Sequence, residues 1–144
     1  MGNESMGRVL TEATIYNLGD LIEVERGKLG AHEVRKVVVT DALVDTGATT
    51  LALPKRTLEQ LGLTKLYEKR AMTAAGLQAM NVYGAARLEI MGRIATVDPI
   101  EVPDGNPVLI GQIPLEMMDW VVDLQGRRLI GNPAHGGEQV LELL

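Results

Sequence analysis

The sequence predicts an all-β domain carrying one or two short helices. Short β-branched runs alternate with Gly, Pro and Asn punctuation at intervals usual for all-β chains. Helical spacing is confined to two stretches that contain or follow a proline, at Pro54 and Pro114. With 144 residues, 46% of them hydrophobic, the chain is long enough for one domain with its own core and gives no reason for a second.

Residues 9–16, with Thr11, Thr14 and Ile15, read as the first strand. Residues 21–25 and 34–40 read as the next pair, separated by the turn region 27–30, and 42–44 leads into a turn at Asp45 that 49–53 leaves. Pro54 opens a helix through Leu61, because proline suits a first turn and Leu58 and Leu61 share a face; Gly62 stops it. Residues 67–73 and 77–83 flank Ala74-Ala75-Gly76, a hairpin tip in which glycine supplies positive φ. A second hairpin, 87–90 with 94–97, turns at Met91-Gly92. Pro103-Asp104-Gly105-Asn106-Pro107 is the strongest loop signal. After it come the apolar strand 108–110, a second helix over 114–119, and strands 120–124 and 128–130 paired across Gln125-Gly126. Residues 132–137 are too rich in Gly and Pro for a regular element, and 139–144 are apolar enough to dock.

The formal net charge of -5, with no basic cluster longer than Lys69-Arg70 or Arg127-Arg128, argues against a nucleic-acid partner. No apolar stretch approaches the roughly 20 residues that span a bilayer, which argues against a membrane. The absence of cysteine removes disulfides and thiol catalysis together and fits a reducing cytosol, so a cytoplasmic location is expected. Residues 1–7 lack an apolar signal core, and Met6 stands where a myristoylation motif needs Ser or Thr; they read as a polar leader.

Residues 37–44 form an apolar run broken only by Thr40 and Asp41, and Asp45-Thr46-Gly47-Ala48 follows directly. A carboxylate at the end of a buried strand is poorly solvated and needs a reason to stay there. Activating water is one. The tripeptide by itself also fits an ordinary Asp-initiated turn. What favours chemistry is order: a Thr-rich exit strand, a Gly-tipped hairpin, and about sixty residues on, Val108-Leu109-Ile110 closed by Gly111 and a short helix.

That order is similar to the retropepsin-like aspartic proteases over roughly residues 8–130, and the segments 54–63 and 131–138 look most like the small prokaryotic members. The resemblance implies a closed-barrel protomer over 8–131, a tail over 132–144 and an aspartic endopeptidase that cleaves extended polypeptides with neither cofactor nor metal. Such hydrolysis takes one carboxylate to draw a proton from water and a second, protonated, to donate to the carbonyl oxygen. The chain has one Asp-Thr-Gly and no Asp-Ser-Gly, so the second carboxylate is expected from an identical chain across a two-fold axis, a homodimer.

By the same resemblance Asp45 is the acid or base, Thr46 binds the opposite loop and holds the carboxylates coplanar, and Gly47 permits the turn. Ala48 and Thr49 border the substrate. Residues 70–83 are the flap, with Ala74, Ala75 and Gly76 at its tip and Met72 and Met80 as soft apolar contacts. Gly111 lies under the Asp45 loop where a side chain would clash, and Leu109 and Ile110 pack the floor. Two positions depart from the viral pattern: Thr49 replaces an acid and Gln112 an arginine that pair in the viral enzymes. Losing both together strands no charge. The dimer then needs other support, and 138–144 is the candidate interface strand.

His32 and His135 stand about a hundred residues apart without helix-spaced or cysteine companions and read as surface or loop histidines, not zinc ligands. Ser5 has no neighbouring base. Trp120 reads as core, and Asp119 and Asp123 beside it as solvated. The rival to the protease is a non-catalytic peptide-binding or scaffold protein that keeps the fold and never brings two carboxylates together; a third possibility is an enzyme inactive until a terminus is trimmed.

Overall fold

A computed structural model describes residues 8–143; the polar leader expected over 1–7 lies outside the described residues. Strand β1 (Val9–Asn17) leads into helix α1 (Leu18–Glu25), and β2 (Lys36–Val44) returns antiparallel to β1. Next come β3 (Leu51–Pro54), α2 (Lys55–Leu61), the ribbon β4–β5 (Thr64–Thr73, Gly76–Gly84) and the hairpin β6–β7 (Ala86–Ile90, Arg93–Val97). Then follow β8 (Ile100–Val102), β9 (Leu109–Ile110), α3 (Gln112–Met117) and the hairpin β10–β11 (Trp120–Asp123, Arg128–Gly131).

Nine strands form one sheet in the order β4-β5-β8-β3-β9-β2-β1-β6-β7, curled into a half-barrel, and β10 pairs with β11 alone. The expected closed barrel is corrected in one respect: among the described residues β4 and β7 are free edges. The short β9 is inserted between β2, to which it runs parallel, and β3, to which it runs antiparallel. That insertion brings two distant parts of the chain together at the Asp45 turn. One face of the sheet packs a continuous core that includes Ile15, Leu51, Leu88, Ile90, Ile110 and Leu115, all nearly inaccessible to solvent.

The described residues hold three α-helices where one or two were expected. The additional one is α1, over residues that read as a strand partner of 34–40. The run Leu21-Ile22-Glu23-Val24 is strand-like by composition, but Asn17 caps a helix there: its side-chain oxygen accepts the Asp20 N–H at 3.0 Å while its Nδ2 donates to the Leu61 carbonyl at 2.8 Å. Asp20, buried in the first turn, accepts Nε and Nη2 of Arg35 at 2.9 Å each, and this pairing holds its pKa below the usual carboxylate range. Strand β8 is a further addition. Its three residues sit between Pro99 and Pro103 and are too few to show alternation.

Three readings of the C-terminal part are corrected. Asp119 is buried, not solvated, in a left-handed backbone conformation (φ 59°). Its Oδ2 accepts from His135 Nδ1 at 2.6 Å and from the Val140 N–H at 3.1 Å, and its Oδ1 accepts from Asn132 Nδ2 at 3.1 Å. His135 is therefore not a free loop histidine, and its Nε2 lies 3.4 Å from Glu142 Oε2. Residues 133–135 make one 3-10 turn, capped by the Asn132 side chain, inside the stretch read as irregular. Arg93 completes the anchorage: Nη1 donates to the Met118 and Asp119 carbonyls, Nη2 donates to the Gly137 carbonyl at 2.7 Å, and the guanidinium stacks 3.9 Å from the centre of the Trp120 ring. Trp120 itself packs against the core as expected. A Cβ at Gly131 would collide with the Gly137 carbonyl, so only glycine lets the tail cross β11 so closely.

Asp119 and, less strongly, Glu142 raise the His135 pKa, while His135 lowers that of Asp119. The His135 contribution to stability is complete below its unfolded pKa and fades as pH rises through the raised folded value. The Asp119 contribution is complete above its unfolded pKa and fades as pH falls through the lowered one. The neutral ring can still donate from Nδ1, so the bond weakens without vanishing. The stability difference between wild type and His135→Gln, measured as a shift in urea midpoint, is thus greatest between roughly pH 4 and 6.5. It shrinks at higher pH; a difference that stays constant up to pH 9 contradicts this account.

Candidate active site

Strand β2 reaches Asp45 with its side chains on altered faces. In its first half Val37 and Val39 pack toward the core and Val38 is exposed; in its second half Ala42 and Val44 are the core residues. The change of parity occurs at Thr40-Asp41. On β1 two steps, Thr11 to Ala13, are matched by three on β2, Ala42 to Val39, which is a β-bulge. Without the extra residue Asp45 would share the face of Val37 and Val39 and point into the core. With it, Leu43 and Asp45 face the opposite side, here called the front.

The front face is apolar along a line set by strand register. Leu43 pairs with Leu109, Leu109 with Ala52, Ala52 with Ile100 and Ile100 with Val82, and cross-strand partners point the same way. Ala52 and Val82 are buried although neither belongs to the main core cluster. Apolar side chains beside a half-buried carboxylate form a surface suited to apolar groups, with a polar group at one end.

The turn itself is tightly held. The Asp45 N–H donates to the Ile110 carbonyl at 2.9 Å, the Ala48 N–H to the Asp45 carbonyl at 3.0 Å, and the Gly47 N–H to Asp45 Oδ1 at 2.9 Å. No hydrogen bond to Asp45 Oδ2 occurs among the described residues. Beneath the turn the chain after β9 crosses under it: Gly111 N–H donates to the Thr50 carbonyl, Gln112 N–H to Ala48 at 2.8 Å, and Ile113 N–H to Thr49 at 3.0 Å. The first turn of α3 thus carries the Asp45 loop. A Cβ at Gly111 would lie 2.5 Å from the Thr50 carbonyl oxygen, 2.6 Å from its nitrogen and 2.7 Å from the Ala48 carbonyl oxygen. All three are backbone atoms of the loop and cannot swing aside.

Asp45, Ala48, Thr49, Leu109, Ile110 and Gly111 therefore converge. Thr46 and Gly47 are exposed at the crest of the turn. Ala74 and Ala75 are exposed at the tip of the β4–β5 ribbon, where Gly76 takes φ 104° and the Thr73 hydroxyl donates to its carbonyl. No hydrogen bond joins this tip to the Asp45 turn among the described residues. Gln112 turns its amide along α3 to Glu116 at 2.9 Å. His32 lies exposed in the 3-10 turn Ala31–Glu33, and no three His, Cys, Asp or Glu among the described residues gather as metal ligands. The bulge and the front-face residues Ala52, Val82 and Ile100 escaped sequence reasoning. The polar pair interrupting the run 37–44 was the available signal for the bulge.

A family model described as gag-polyprotein putative aspartyl protease matches residues 33–116. The chain belongs to this family. No curated protein matches it. The family match begins just before β2 and ends within α3, so it contains the bulge, the Asp45 turn, the ribbon and Gly111. It leaves out β1, the β10–β11 hairpin and the anchored tail.

Replacing Gly111 by Ala forces the loop or β9 to move, and overpacking of this kind costs about 1–3 kcal/mol. Gly111→Ala is expected to lower the thermal midpoint by several degrees and to weaken any function that depends on Asp45. An unchanged midpoint, read by circular dichroism, would mean that the crossing is looser than described.

Proposed function

We propose that the protein is an aspartic endopeptidase that hydrolyses extended polypeptides through a water activated by Asp45 and the same residue of a second copy. The observation that carries this reading is the aim of Asp45: the bulge turns it to the front face, Gly47 ties one oxygen, and Gly111 lets α3 hold the loop from below. The family supports the reaction type. One carboxylate cannot both withdraw and donate the required protons, and the chain has one Asp-Thr-Gly. Two carboxyl groups in contact share a proton because both cannot ionise together, and their titration belongs to the pair.

In this mechanism the ionised member takes a proton from water as the water oxygen bonds to the peptide carbonyl carbon. The protonated member donates to the carbonyl oxygen. The tetrahedral intermediate collapses when the nitrogen gains a proton and the C–N bond breaks, giving a carboxylic acid and an amine. Thr46, exposed on the crest, binds the opposite loop; Ala48 and Thr49 border the peptide; residues 70–83 act as the flap, with Ala74, Ala75 and Gly76 at its tip. Leu43, Leu109, Ala52, Ile100 and Val82 favour apolar side chains near the scissile bond.

Support for the homodimer comes from residues 138–143, whose Val140, Leu141 and Leu143 are exposed at 44%, 74% and 80%. An apolar terminal segment of this kind gains most by pairing. A cytoplasmic setting is consistent with the absence of cysteine. No helix among the described residues is long and apolar enough to cross a membrane.

Incubation with a peptide library tests the assignment. Wild type is expected to cleave, with activity on the acid side of neutrality, and Asp45→Asn to lose about 10²- to 10⁴-fold while keeping its fold and its sedimentation as a dimer. Equal cleavage by both proteins, or full activity in a strictly monomeric wild type, would refute the shared-proton dyad.

A further inference from the structure

The β4–β5 ribbon is joined to the rest of the protein by very little. Its two strands pair with each other from Thr64–Gly84 out to Thr73–Gly76. Strand β5 meets β8 through one ladder pair, Val82 with Ile100, beside which the Tyr83 N–H donates to the Pro99 carbonyl at 2.8 Å. Strand β4 is the sheet edge, and residues 64–70 along it are all exposed. A junction of one ladder pair can serve as a hinge, on which a ribbon rocks and twists unless something restrains it.

Glu101 restrains that hinge. Its Oε1 accepts from the Tyr83 hydroxyl at 2.8 Å and from Asn81 Nδ2 at 3.3 Å. The two residues flank Val82, their backbone positions about 7 Å apart along the strand. One carboxylate on β8 thus grips β5 on both sides of its single ladder pair, which opposes twisting as well as rocking. Asn81 lies one residue nearer the tip than the last ladder link, so among the described residues this grip is the outermost hydrogen bond from the ribbon to β8. Beside it a groove of about 240 Å³, lined by Gln78, Met80, Asn81, Glu101 and Pro103 among others, separates the ribbon from β8 and its following loop. Glu101 pairs in register with the core residue Leu53, so it acts from the back of the sheet, opposite the Asp45 face. The same carboxylate pushes the Tyr83 phenol up from its ordinary value, which keeps the hydroxyl a donor.

We propose that Glu101 is a positioning residue for peptide hydrolysis: it fixes the root of the ribbon so that residues 70–81 close over a bound peptide, without itself touching substrate. The proposal rests on the protease reading above. A flap that contacts the peptide equally in the ground and transition states contributes uniform binding, so a loosened root raises KM and spares kcat. A carboxylate that accepts two hydrogen bonds through one oxygen can be replaced by an amide oxygen in the same place.

The test compares Glu101→Ala, Glu101→Gln and Tyr83→Phe in the full chain, with a peptide that the wild type cleaves and with hydrogen exchange of the free protein. Glu101→Ala is expected to raise KM about tenfold with kcat within about threefold, and Glu101→Gln to restore KM. Exchange in residues 66–81 quickens in Glu101→Ala and not in Glu101→Gln, while β1, β6 and β7 keep wild-type protection. Tyr83→Phe, which removes one donor and no core volume, shows a smaller change of the same kind and serves should Glu101→Ala fail to fold. Unchanged KM together with unchanged ribbon exchange overturns the proposal, as does a fall in kcat alone. A wild type that cleaves nothing overturns the protease reading instead, and the exchange comparison then still decides whether the clasp restrains the ribbon.

Discussion

A strand shows alternate residues to its two faces, so one added residue reverses the direction of everything beyond it. In β2 that residue lies at Thr40-Asp41, and the rest of the candidate site depends on it. Val37 and Val39 before the bulge, and Ala42 and Val44 after it, all face the core although their spacing is out of phase. The strand thus satisfies the core at both ends and still delivers Asp45 to the other side. The polar pair is suited to the place: Thr40 and Asp41 are both exposed, so the interruption of the apolar run buries no unpaired group.

The same sheet separates two tasks by face. Its back packs against the core and carries the polar restraints, Glu101 on the ribbon root among them. Its front holds a short apolar line that the core does not use. Between β2 and β3 runs β9, two residues long, parallel to the first and antiparallel to the second. So short a strand is stable only because its continuation is also held: Gly111, Gln112 and Ile113 each donate a backbone hydrogen bond to the Asp45 loop. At the far end of the same helix, Asp119 and Arg93 fasten the tail. Helix α3 is therefore clamped at both ends, which suits an element that must keep a loop in place.

Much of this was legible in the sequence because local rules and tertiary demands agreed. The ribbon, the β6–β7 and β10–β11 hairpins, the Pro54-introduced helix and the Asp45 turn all occur within a few residues of where turn chemistry and periodicity put them. The converging loop and β9 strand were legible through the order of motifs. Misreadings fell where long-range partners decide. Leu21-Ile22-Glu23-Val24 is helical because Asn17 caps it and is itself held by the Leu61 carbonyl 44 residues on, while Asp20 is held by Arg35; the strand-like composition outweighed the cap in reading the sequence, and the Leu61 partner lies beyond any local window. Asp119 and His135 looked like ordinary polar residues because their burial depends on the tail folding back over β11. The bulge was visible as two polar residues in an apolar run, yet only the register with β1 shows that it reverses the strand's faces.

In the proposed dimer the incompleteness of the single chain has a physical advantage. Two carboxyl groups in contact repel when both are ionised, and a protomer that contained both would bear that cost through its own folding. Divided between copies, the cost arises on association, when a shared proton can relieve it. The monomer keeps one Asp45 whose first oxygen is bound by Gly47 and whose second has no partner among the described residues. The Thr49 and Gln112 departures fit this division. Gln112 spends its amide on Glu116 within its own helix, so neither position leaves a charge waiting for a partner. Association must then draw on apolar surface, and the exposed leucines of the terminal segment provide it next to a backbone that Asp119, His135 and Arg93 already hold in place. Holding that backbone in advance lowers the entropy lost on pairing, which is how a short segment can serve as an interface.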